Sequence, residues 1–140
     1  MSKIKQFLEN VSVDIGFAGE INDEVRMKGA QLLRNSIPNM PVGDTEIWYM
    51  RPEWFAKGSM GRKPDPNNLG DTHSCLGATG LTDLEEIFLN MQKKRWSPNG
   101  EARAFIHKKG VMHTSMSTGD VVKIGDEVWL CIVTGWLKLD

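Results

Sequence analysis

Apolar and polar residues alternate along this chain with a period that changes from segment to segment. Near the start, Ile4, Phe7, Leu8 and Val11 recur at helical spacing behind Ser2, a good N-cap, and predict a short amphipathic helix over 2–11. Gly16 and Gly19 interrupt it, and a second helix is predicted from Asn22 to Asn35 on a looser stripe of Val25, Ala30, Leu32 and Leu33. Pro38 and Pro41 end it. Thr45–Met50 is rich in β-formers and predicts a strand. Residues 51–71 carry Pro52, Gly58, Gly61, Pro64, Pro66 and Gly70 and read as a long surface loop. Trp54, Phe55 and Met60 within it imply packing onto something. A second strand is expected over Thr72–Ala78.

The strongest helical pattern lies at 82–94, where Leu84, Ile87, Phe88 and Met91 share one face. Thr82 and Glu85 have capping-box spacing, with acids in the first turn and Lys93 and Lys94 in the last. A Ser97-Pro-Asn-Gly100 turn and a short helix from Glu101 to Lys109, closed by Gly110, come next. Asp120–Ile124 and Glu127–Val133 flank Gly125-Asp126, a two-residue hairpin loop. Val128 to Val133 is apolar on both faces, which predicts a central, doubly covered strand. Trp136, Leu137 and Leu139 extend it or make one more short strand. This order implies an α+β fold. A small, mostly antiparallel sheet ends in a C-terminal β-hairpin and is packed by the two N-terminal helices and the helix at 82–94. One domain of 1–140 is expected, with a helical N-terminal part (1–40) and an α+β core (45–140).

Composition narrows the classes only a little. The chain has 140 residues, 40% hydrophobic and 25% charged, with a net charge of −1. No global field favours nucleic acid or membrane, and only local patches could. No apolar run approaches the ~20 residues of a membrane helix, and Lys5, Gln6 and Glu9 break up any signal-peptide core, so a cytoplasmic protein is expected. Cys75 and Cys131 lie far apart without metal-type spacing and read as reduced thiols.

Candidate chemistry is sparse. His113, Thr114, Ser115, Ser117, Thr118 and Asp120 invite a nucleophile reading, but hydroxyls in such a run ordinarily bond to the backbone of a turn. No Gly-x-Ser-x-Gly elbow is present. His73, His107 and His113 show no zinc spacing, so neither metal nor cofactor is expected. Asp83, Glu85 and Glu86 are explained by the start of their helix. Gly58-Ser-Met-Gly61-Arg-Lys lacks P-loop spacing.

More informative is the segment 93–109. Lys93, Lys94, Arg95, Arg103, Lys108 and Lys109 face a single acid, Glu101, for a local net charge of +5. Trp96 and Phe105 interleave with the cations, the pattern of a surface for single-stranded nucleic acid or an acidic partner. Trp54 and Phe55 form a second candidate contact surface.

The run Ser115-Met-Ser-Thr-Gly-Asp-Val-Val, then Glu127-Val-Trp-Leu-Cys and Gly135-Trp-Leu-Lys-Leu, resembles the end of YodL-like domains of phage, plasmid and conjugative-element proteins. The helix Asp83-Leu-Glu-Glu-Ile-Phe-Leu-Asn resembles the one preceding that pattern, so the likeness spans roughly residues 72–139. It implies a non-enzymatic accessory protein, without catalytic residues, that binds a host or element protein, with an anti-defence role as one form. Nucleic-acid binding through 93–109 is the alternative.

Overall fold

The computed structural model describes residues 36–140; the two helices expected at 2–11 and 22–35 lie outside the described residues. The described residues form, in order, β1 (Thr45–Met50), α1 (Pro52–Gly58), a 3-10 turn (Leu69–Asp71), β2 (His73–Thr79), α2 (Leu84–Asn90), α3 (Lys93–Trp96), α4 (Arg103–Lys108), β3 (Val121–Ile124), β4 (Glu127–Ile132) and β5 (Gly135–Leu139). The arrangement is α+β. Five antiparallel strands lie in the order β2-β1-β3-β4-β5, and the chain closes on the β4–β5 hairpin.

Strand alternation sorts apolar side chains onto two faces. Ile47 and Tyr49 of β1, Leu76 of β2 and Val122 of β3 join Ile87, Met91, Trp96, Ile106 and Met116 in the larger core cluster. Val121, Val128, Leu130 and Leu139 form a smaller cluster with Leu69 of the 3-10 turn, and Trp48, Ile132 and Leu137 pack against it. The β1–β2 register shifts between Ile47 and Trp48, which face Gly77 and Cys75, so that Leu76 is the extra residue of a bulge in β2. Gly43 and Gly80 lie back to back where the chain approaches β1 and leaves β2; a Cβ on Gly43 would collide with the Gly80 backbone.

Three expectations need correction. The stretch 51–71 is not all loop. Pro52 sits in the first turn of α1, where its missing N–H is an orphan donor anyway, with Glu53 in the first turn and Lys57 in the last. The helix expected over 82–94 is two helices: α2 stops at Asn90, and Gln92 adopts an extended conformation before α3. Its cap is Asp83, whose carboxylate accepts the Glu86 N–H at 3.0 Å, and not Thr82. β4 does lie between β3 and β5, but it ends at Ile132; Trp129 is half-buried and Val133 is 87% exposed in the following turn, so the strand is not covered on both faces throughout.

Candidate docking surface

Two clusters of side chains emerge, one paired and internal, the other open. The internal one gathers at the bend before β3. Asp120 is wholly buried, and its carboxylate accepts from the Met50 N–H (2.9 Å), the Ser117 N–H (2.8 Å) and His113 Nε2 (2.8 and 3.0 Å). His113 stacks on Tyr49 with ring centroids 4.6 Å apart and meets the edge of Phe55 at 5.2 Å. Burial pushes the Asp120 carboxyl above its ordinary range, with the His113 hydrogen bond pulling the other way. Burial likewise raises the Tyr49 phenol and lifts the Cys131 thiol to about 11. Cys75 and Cys131 are both free thiols.

The two serine hydroxyls of this bend serve the backbone. Ser115 Oγ accepts the Lys93 N–H at 2.9 Å, and Ser117 Oγ donates to the Ser115 carbonyl at 3.0 Å. His113 and Asp120 therefore converge while neither serine joins them as a nucleophile. Among the described residues, no three His, Cys, Asp or Glu side chains cluster to hold a metal ion. No helix among them is long and apolar enough to cross a membrane.

The open cluster is the basic segment. Lys93, Lys94, Arg95, Arg103 and Lys108 are exposed. The ion pairs among the described residues are Arg51–Glu53, His113–Asp120 and Lys138–Glu127, so none of these five cations is neutralised there. Lys109 is half-buried with its ammonium 5.6 Å from the Phe105 ring centre. Trp96 does not share this exposure. It is 1% exposed, donates its indole N–H to the Thr114 carbonyl at 3.0 Å, and meets Phe105 edge-on at 6.3 Å. The tryptophan anchors α3 to the bend and presents its charged neighbours outward.

Beside the cations lies an open, mostly apolar groove of about 520 Å³ between α2 and the turn after α3, lined by Phe88, Leu89, Gln92, Pro98, Lys93 and Lys94. Leu89 is 54% exposed. A second cleft of about 410 Å³ lies on the other side of Lys93, reaching Arg103, His107 and Met112. Trp54 and Phe55 line neither. Phe55, 38% exposed, covers His113, while Trp54 is half-buried with Lys57 5.6 Å above its ring and a buried indole N–H that has no partner among the described residues.

The basic run was visible in the sequence; its apolar companion was not. The signal was Leu89, which falls off the Leu84–Ile87–Phe88–Met91 face of its helix and so must point elsewhere. Comparison with family models, with curated proteins and with solved structures finds no match for the chain.

Proposed function

We propose that the chain is a non-enzymatic binding protein that docks a protein partner through the Phe88–Leu89–Pro98 groove and its cationic rim. The observation that carries this reading is an open apolar groove bordered by Lys93 and Lys94, neither of which has an ion-pair partner among the described residues. Unpaired cations at an apolar rim favour an acidic segment that inserts one apolar side chain: the apolar contact gives affinity, and the charges give steering and specificity. The resemblance of residues 72–139 to YodL-like domains supports service to a phage, plasmid or other mobile element, blocking of a host defence complex being one form. The burial of Trp96 weighs against the nucleic-acid alternative, because stacking on unpaired bases needs an exposed ring, and Phe105 is itself half-buried under Lys109.

The test compares immobilised wild type with Leu89→Asp and with Lys94→Glu/Arg95→Glu in host lysate. Wild type is expected to retain an acidic protein at low salt that both variants lose, with retention weakening as salt rises. Retention that is identical in all three forms overturns the groove. A gel shift of DNA or RNA that disappears in Lys94→Glu/Arg95→Glu, with no protein retained, transfers the surface to nucleic acid.

A further inference from the structure

The cleft between α3, α4 and the 110–114 bend differs in kind from the apolar groove. We propose that it is a binding site for a small phosphorylated molecule. Three nitrogen-bearing side chains, Lys93, Arg103 and His107, line it, and no carboxylate does. The nearest acid along the chain, Glu101, is turned to its own turn, where it accepts the Asn99 N–H at 2.7 Å. None of the three side chains has a hydrogen bond or ion pair among the described residues.

Two acceptors of the residues lining the cleft are already engaged. The Thr114 carbonyl accepts both the Tyr49 hydroxyl (2.9 Å) and the Trp96 indole N–H (3.0 Å). Ser97 Oγ accepts the Ala102 N–H at 2.9 Å, so that hydroxyl has its proton still to give. What the cleft offers a ligand is therefore donors and positive charge. A phosphate group is the complement of such a site, with up to two negative charges and three acceptor oxygens that suit a guanidinium fork and a lysine point charge together. A carboxylate has one charge and two oxygens and would leave part of this set unanswered. The volume of about 410 Å³ is that of a small-molecule site, and exposed Met112 supplies an apolar wall for the body of the ligand. The cleft shares only Lys93 with the docking groove, so the two readings stand or fall separately.

The test is a backbone amide NMR titration of the full chain with inorganic phosphate, pyrophosphate and a nucleoside monophosphate, and with acetate as a carboxylate control. Saturable shifts are expected at Ser97, Ile106, His107 and Thr114 with one or more of the phosphates. Arg103→Gln and His107→Gln should each weaken binding by about tenfold or more, the loss of one charge-assisted contact. Lys108→Gln, which removes a cation outside the cleft, and Leu89→Asp, which disables the neighbouring groove, should leave it within about twofold. Shifts that do not saturate, equal shifts with acetate, or an equal loss from Lys108→Gln would overturn the site in favour of diffuse charge attraction.

Discussion

His73, at the start of β2, and Asp120, just before β3, are both buried ionisable residues, and the Asp120 charge acts on the His73 ring. The Gly119 carbonyl can only accept, so the 2.7 Å contact makes His73 Nε2 the protonated nitrogen. Nδ1 lies 2.6 Å from Thr72 Oγ1, whose hydroxyl donates to it when the ring is neutral. Burial lowers the His73 pKa below its ordinary 6.5, outweighing the Gly119 hydrogen bond and the Asp120 charge, which raise it; Arg51 and His113 add to the lowering. The sign follows from linkage. The unfolded chain takes up the proton first, so this contribution to stability is full above about 6.5 and is lost as pH falls through the folded value. Asp120 has the opposite sign: its carboxyl is raised, so acid does not penalise the fold through that group in the same direction. The urea midpoint of wild type is therefore expected to fall between about pH 7.5 and pH 5.5, and His73→Gln to flatten that slope. Equal slopes for the two proteins would show that His73 does not carry the dependence. The sequence made the serine-rich bend legible, because hydroxyls next to Gly119-Asp120 have few roles besides turn bonds. It could not make the His113–Asp120 pair legible, since the pairing depends on Tyr49 stacking beneath the imidazole from a strand more than sixty positions away.

Elements show the same division between local and tertiary causes. Thr82-x-x-Glu85 and Asp83-x-x-Glu86 are overlapping cap signals one residue apart, and the folded chain uses the second. Asp83→Ala should cost about 1 kcal/mol in urea unfolding, the worth of an N-cap, whereas Thr82→Ala should cost nearly nothing. A larger loss from Thr82→Ala would restore the earlier start. The break after Asn90 has no glycine or proline to announce it. It is made by partners from the bend: Gln92 Nε2 donates to the Phe88 carbonyl (3.0 Å) and the Met116 carbonyl (3.1 Å), and Ser115 Oγ receives the first free N–H of α3. The Phe88 carbonyl at the end of α2 is thus satisfied by the Gln92 side chain, and the Lys93 N–H at the start of α3 by a serine 22 positions downstream. No single-segment pattern contains that information. α1 is the reverse case. Pro52, Glu53 and Lys57 are ordinary helix signals, hidden by the density of prolines and glycines that follow.

At the scale of the whole molecule, the order β2-β1-β3 is what places the basic segment. β1 pairs with β2 on one side and β3 on the other, so the stretch from Gly80 to Asp120 must run over one face of the sheet and return. Its apolar residues, Ile87, Met91, Trp96, Ile106 and Met116, fill that face, and its cations are left at the surface. The interleaved aromatic and basic residues of 93–109 therefore divide by role along the direction perpendicular to the sheet. This yields a separation that a contiguous binding motif would not give. Trp96→Ala removes a buried ring and its hydrogen bond to Thr114 and should cost about 3–5 kcal/mol in urea unfolding. Lys94→Glu/Arg95→Glu, at exposed positions without ion pairs among the described residues, should change stability by less than about 0.5 kcal/mol while abolishing capture of an acidic partner. The Thr114 carbonyl keeps the Tyr49 hydroxyl when the indole is lost, so the cost of Trp96→Ala is mainly cavity and contact. Trp96→Phe should accordingly recover much of it and keep partner capture at the wild-type level. A Trp96→Phe protein that is stable but captures nothing would return Trp96 to the binding surface and the segment to a single continuous motif.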